Sequence, residues 1–185
     1  MRYTLLLAVL LIVQNGFSQE KIINHWKNGQ KSSEGELLYG KEHGRWKYWN
    51  KKGILVQETD FRKGNIHGKL IYYYPSGQVE NQGEFIKGVQ HGEYFAWHQN
   101  GKPQTQGFYE FGQKDSLWTY WDKKGNKIKE EYYYPGQKIR LINYWDSTGQ
   151  KLVENGNGLF KEFYSSGDIK TKGHYKDSLE HGEWT

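Results

Sequence analysis

His91-Gly92-Glu93-Tyr94-Phe95-Ala96-Trp97-His98-Gln99-Asn100-Gly101 opens on His-Gly, runs through closely spaced rings and closes on a polar tripeptide ending in glycine. The same stretch stands 24 residues upstream as His67-Gly68-Lys69-Leu70-Ile71-Tyr72-Tyr73-Tyr74-Pro75-Ser76-Gly77, and one step further back from His43-Gly44 to Gly53. Downstream the register yields Asp115-Ser116-Leu117-Trp118-Thr119-Tyr120-Trp121-Asp122-Lys123-Lys124-Gly125, then a worn copy from Ile139 to Gly149. A sixth copy, Asn157 to Gly167, follows a shortened spacer, and His181-Gly182-Glu183-Trp184 begins a seventh. Repetition at a fixed period of this size marks an array of supersecondary units, each burying its apolar face against its neighbours.

Each unit reads as two strands. In the first, Trp46 and Tyr48 point one way and Lys47 and Trp49 the other. Gly53, Gly77, Gly101, Gly125, Gly149 and Gly167 close the turn that follows, where positive φ is expected. A second strand, such as Ile54 to Phe61 or Gln78 to Phe85, then leads through Lys63-Gly64, Lys87-Gly88 or Phe111-Gly112 into the next His-Gly. The His-Gly pairs (His43-Gly44, His67-Gly68, His91-Gly92 and His181-Gly182) read as turns in which a polar residue tolerant of left-handed backbone is useful. No segment has helical periodicity. The expected fold is all-β, an elongated antiparallel meander of about a dozen strands in repeated two-strand hairpins. Residues 41–185 form the array and residues 19–40 a lead-in or cap segment, in which Gly29 keeps the phase. Around Glu130 to Gly136 the His-Gly is lost, and from Gly149 to Gly167 the spacing falls to 18 residues. A kink or shortened hairpin is expected there, with the missing six residues taken from the second strand and its turn.

Residues 1–18 have a different character. Arg2 precedes an unbroken apolar run, Leu5 to Val13, and Gly16 and Ser18 flank Phe17. This is the pattern of a cleavable secretory signal peptide cut after Ser18, too short for a bilayer-spanning helix. An uncleaved anchor is the alternative. The mature protein is expected outside the cytoplasm, periplasmic or secreted. With no cysteine, its fold relies on the sheet and not on disulfides. The net charge of +5, dispersed among alternating Lys and Glu, reads as a solvated surface, and no nucleic-acid partner is expected.

Catalytic patterns are missing: no G-x-S-x-G, no H-E-x-x-H, no phosphate loop. Glu130 and Glu131 fall on opposite faces of any strand that holds them, which is wrong for paired acid and base work. Aligned histidines in successive hairpins stand two strand spacings apart, about 9.5 Å, whereas ligands of one zinc sit about 2.1 Å from the metal. Neither metal nor cofactor is expected, and no enzymatic activity.

Two columns of side chains remain. Trp46, Leu70, Tyr94, Trp118, Ile142, Phe160 and Trp184 mix aliphatic with aromatic and form the expected core, with Phe61, Phe85, Tyr109, Tyr133 and Tyr175 as neighbours. Trp49, Tyr73, Trp97, Trp121, Trp145 and Phe163 hold a second position and form the candidate binding face. They are either rings stacked into a core or an exposed ladder able to hold an extended peptide or a glycan chain.

The His-Gly-x-aromatic-x-x-aromatic pattern, with glycine ten residues after the His and a Lys-Gly beyond it, resembles the bacterial variant of the MORN repeat. Such proteins are often catalogued as YwqK-family antitoxins. The resemblance covers Tyr39 to Thr185 and departs from the usual spelling at Asp115-Ser116, Ile139-Arg140 and Asn157. It implies a protein scaffold, or contact with phosphoinositides or membranes, and the antitoxin label implies neutralisation of a toxin by binding. The combined expectation is a non-catalytic extracytoplasmic scaffold that binds a protein partner through one sheet face. Alternatives are an envelope-surface, lipid- or glycan-binding module and an antitoxin or immunity-type protein.

Overall fold

The computed structural model describes residues 19–185, so the signal peptide expected over 1–18 lies outside the described residues. Fifteen strands follow one another: β1 (Gln19–His25), β2 (Lys31–Leu38), β3 (Lys41–Trp49), β4 (Leu55–Arg62), β5 (Asn65–Tyr73), β6 (Val79–Ile86), β7 (Val89–Trp97) and β8 (Pro103–Glu110). They continue with β9 (Gln113–Trp121), β10 (Lys127–Tyr133), β11 (Arg140–Trp145), β12 (Lys151–Glu154), β13 (Asn157–Phe163), β14 (Ile169–Lys176) and β15 (Leu179–His181). All join one antiparallel sheet in sequence order, and no helix occurs among the described residues. The segment 19–40 is a hairpin of this sheet, β1 and β2, built like those that follow.

Two kinds of turn alternate. On one edge, two-residue turns such as Lys63-Gly64 have positive φ at both positions (55° and 82°), and the flanking Arg62 and Asn65 pair directly. This is the type I′ geometry, whose twist matches that of the strands. Tyr39-Gly40, Lys87-Gly88, Phe111-Gly112 and Asn155-Gly156 repeat it, and Asp177-Ser178 does so without glycine. On the other edge, Asn50 N–H donates to the Ile54 carbonyl and Gly53 N–H to the Asn50 carbonyl, each at 2.9 Å. Six further turns, from Trp26-Gly29 to Tyr164-Gly167, repeat this bonding, with their glycines at positive φ. Asn50, Asp122 and Asp146 secure their turns by accepting two backbone N–H groups on a side-chain oxygen.

The His-Gly pairs are not turns. His43-Gly44, His67-Gly68 and His91-Gly92 lie inside β3, β5 and β7, and His181 ends β15. Thr59 pairs with Leu70 and Phe61 with Ile66, so Asp60 alone faces His67-Gly68-Lys69. Glu84 likewise faces His91-Gly92-Glu93. Each is an enlarged β-bulge, with φ near +114° at Gly68 and Gly92. The Asp60 carboxylate accepts the Lys69 N–H freed there, at 3.1 Å.

One face carries the core column. Trp118 is 1% exposed and Trp46 6%. Trp118 stacks on Tyr94 at 5.7 Å between ring centroids and meets Tyr109 edge-on at 5.0 Å, with Tyr133 at 6.1 Å. Its indole N–H donates to the carbonyls of Phe108 and Asp115. A second layer of structure is not what covers these rings. The indoles of Trp46, Trp118 and Trp184 lie against Gly35, Gly107 and Gly173 of the preceding strand, where any Cβ would overlap the ring. The corresponding positions hold Thr59, which is fully buried and pairs with Leu70, and Gly83, which pairs with Tyr94.

The repeat breaks where the spacing predicts, with two corrections. Ile142 does not occupy the core column: Glu131 pairs with Leu141 and Glu130 with Asn143, so Ile142 is the bulged residue and Leu141, 5% exposed, takes the core position. The missing six residues do not come from a turn. Strand β12 has four residues instead of eight, and two more are lost between the Asn155-Gly156 turn and Asn157, which stands at the position of His. The shortened hairpin lets the next tight turn reach across it. The Ser178 carbonyl accepts the Leu141 N–H at 3.1 Å, and Ser178 N–H donates to Gly156. A cleft of about 460 Å³ remains between Glu131, Leu141, Tyr175 and Leu179.

Trp118→Ala is expected to cost about 3–5 kcal/mol, against about 0.5 kcal/mol or less for exposed Lys123→Ala, measured by denaturant unfolding. Gly107→Ala is expected to destabilise strongly alone and only mildly beside Trp118→Ala, because the collision partner is then gone. Additive costs in that double-mutant cycle would refute the ring-on-glycine packing.

Candidate functional site

The candidate binding residues lie on the face opposite the core column. Trp49, Tyr73, Trp97, Trp121 and Trp145 are half-buried, while Phe163 is 48% exposed. They form neither a closed core nor a fully exposed ladder, and Trp49, Trp97 and Trp145 lean on neighbours of their own unit or the one before. Trp97 stacks on Phe95 at 5.9 Å. Lys31 Nζ stands 4.8 Å over the Trp49 ring, and Lys127 and Lys151 flank Trp145 at 5.7 and 5.3 Å. Opposite the rings, across the turns, the register places Leu55, Val79, Pro103, Lys127 and Lys151. The strip therefore alternates ring and filler: Trp49, Leu55, Tyr73, Val79, Trp97, Pro103, Trp121.

The backbone beneath the strip is clamped from the neighbouring turn. Trp26 Nε1 donates to the Trp49 carbonyl at 2.9 Å, Tyr74 Oη to that of Trp97 at 2.8 Å, and His98 Nε2 to that of Trp121 at 3.0 Å. Asn28 and Asn100 donate in the same way to the carbonyls of Lys51 and Lys123. His98 belongs to no His-Gly pair, and its role is that of a clamp. The signal that reveals its role is positional: 26, 74 and 98 share a phase and all carry long polar-tipped rings.

Beside the strip, at the N-terminal end, lies an ionic lattice. Glu34 bonds Lys21 at 2.7 Å and Lys31 at 2.6 Å, and these partners, Lys21 first, hold its carboxyl down to about 2. Arg45 bonds Asp60 at 2.7 Å and reaches Glu58 at 3.5 Å, and Lys47 meets the same Glu58. The Arg45 guanidinium lowers the pKa of Asp60 and has its own pKa raised in return. Burial pushes the Glu130 carboxyl up, but hydrogen bonds from Lys127 and Asn143 outweigh it and the net shift is downward.

Glu130 and Glu131 do fall on opposite faces. Glu130 bonds Lys127 and Asn143 on the strip side, while Glu131 takes Lys129 and Tyr133 on the core side. There, Lys114 Nζ sits 4.1 Å over Trp118 and donates to Tyr120 Oη, and burial lowers its pKa. The histidines do not converge. Nδ1 of His43 and of His91 is buried without a hydrogen-bond partner, and His91 Nδ1 stands 3.9 Å from Glu110. No His, Asp or Glu group able to hold a metal occurs among the described residues.

The architecture is that of a repeat-built sheet whose unit is a hairpin. A family model described as "MORN repeat variant" matches residues 66–87, 90–111 and 156–177. These are the hairpins β5–β6, β7–β8 and β13–β14, and the unmatched hairpins β1–β2, β3–β4 and β9–β10 share the same turns. Three of its hairpins are thus similar to the MORN repeat variant, and the chain as a whole is an all-β repeat protein. No curated protein matches it.

Because Glu34, Asp60 and Glu130 titrate lower folded than unfolded, their contribution to stability is complete above about pH 4.3, the unfolded glutamate value, and is lost as pH falls through their depressed values. An acid titration of unfolding free energy is expected to show this decline, extending to about pH 2 for Glu34. Glu34→Gln is expected to shallow it, and an unchanged acid limb in that variant would show that the Glu34 pairs contribute no linkage.

Proposed function

We propose that this protein is a non-catalytic, exported scaffold that binds a protein partner through the strip of rings from Trp49 to Trp145. What carries the reading is the accessibility and fixed spacing of those rings. They are half-buried, the backbone of Trp49, Trp97 and Trp121 is clamped by Trp26, Tyr74 and His98, and all lie on one face of a continuous sheet. Rigid, partly exposed aromatic side chains make good recognition anchors because they bring area at little entropic cost. The apolar run at Leu5 to Val13 supports export. The same platforms suit a glycan, which is the second reading. An antitoxin role is a narrower form of the first, in which the partner is a toxin.

The test is crosslinked capture from envelope extract with wild type and the Trp97→Ala, Trp121→Ala double variant, both confirmed folded by circular dichroism. A partner identified with wild type and lost with the folded variant is the expected result. Capture that persists in the variant would move recognition away from the strip.

A further inference from the structure

Along the direction in which units stack, the rings Trp49, Tyr73, Trp97 and Trp121 repeat every second strand. Two strand spacings come to about 9.5 Å. One turn of polyproline II helix, three residues at about 3.1 Å each, advances about 9.3 Å. A peptide in that conformation laid across the strands therefore keeps step with the rings. The register supplies Leu55, Val79 and Pro103 between consecutive rings, so small apolar side chains alternate with aromatic ones. Aromatic-lined surfaces take proline-rich segments in this conformation, and the ligand enters already ordered.

The charge beside the strip narrows the ligand further. The turns at 26–30, 50–54, 74–78, 98–102 and 122–126 carry Lys27, Lys51, Lys52, Lys102, Lys123 and Lys124 against one carboxylate, Asp122. Asp122 is already committed to the N–H groups of Lys124 and Asn126. None of the six lysines forms an ion pair among the described residues, whereas the lysines within the strip (Lys31, Lys127 and Lys151) are each paired with a glutamate.

We infer that the Trp49–Trp121 strip is a docking track for a proline-rich, acidic segment of a partner protein in polyproline II conformation, one three-residue turn per hairpin unit. This rests on the face-recognition reading and specifies its ligand.

The probe is a fluorescein-labelled, capped peptide of four Glu-Pro-Pro triplets, titrated into the purified protein by anisotropy. Saturable binding is expected to tighten with each triplet added up to four and to weaken by about tenfold in Trp97→Ala or Trp121→Ala. It should be unchanged in Tyr72→Ala, which removes an exposed ring from the other face. The Lys123→Glu, Lys124→Glu variant changes only exposed turn residues and is expected to weaken binding several-fold. The inference is overturned if four Glu-Gly-Gly triplets bind equally well, or if affinity ignores triplet number or the ring substitutions. It is also overturned if a β-linked glucose hexasaccharide binds with ring dependence where the proline peptide does not. If the peptide fails while ring-dependent capture of a protein persists, the polyproline reading falls and face recognition stands.

Discussion

A single sheet has nothing above or below to cover its side chains, and this protein meets the constraint by laying indoles onto glycine. Trp46, Trp118 and Trp184 each lie flat on the backbone of the strand before, at Gly35, Gly107 and Gly173. An indole with strand backbone on one side and the rings of Tyr94, Tyr109 and Tyr133 around it is buried as fully as in a two-layer domain, as Trp118 shows. The same constraint explains the composition. Aromatic residues supply large area from a short side chain, and their polar atoms reach nearby carbonyls without leaving the layer. Stability thus comes from contacts between adjacent strands, the regime in which repeat proteins build their energy unit by unit.

Both long edges of the sheet are also secured. On one, the glycine N–H of a tight turn donates to a carbonyl of the preceding unit, as Gly64 does to Glu42, Gly88 to Ile66 and Gly112 to Gln90. On the other, side chains make the connection, from Trp26, Asn28, Tyr74, His98 and Asn100. A ribbon laced along both margins keeps its hairpins at constant pitch. Constant pitch is what turns five separate rings into a ruled surface. The proposed recognition rests on this regularity more than on any one side chain.

Much of this was legible in the sequence, and what was not has identifiable causes. The 24-residue period, the glycine-closed turns and the two faces of each first strand follow from alternation and glycine placement alone. The His-Gly bulge was not readable, because a glycine at positive φ looks the same in a turn and in a bulge, and only pairing tells them apart. Its true neighbour, the type I′ turn, was hidden by Lys63, Lys87 and Phe111 in left-handed backbone where Asn or Asp is the usual sign. The glycines beneath the rings left a trace that composition obscures: each stands eleven residues before its ring, 35 before 46, 107 before 118, 173 before 184. Leu141 displaced Ile142 from the core because losing His-Gly shortens the bulge, and a pattern with period two cannot show a slip of one.

The bond from Leu141 to Ser178 has a bearing on how the array comes apart. In an ideal linear array each unit communicates only with the next, so unfolding can proceed from an end one hairpin at a time. Here the short β12–β13 hairpin is bracketed by main-chain bonds that join β11 to the turn before β15. Strands β11 to β15 are thereby linked beyond nearest neighbours and are expected to open as one block, whereas the hairpins before them are bonded only to the units beside them. A force or a protease acting along the ribbon is expected to meet smaller barriers before this block than at it.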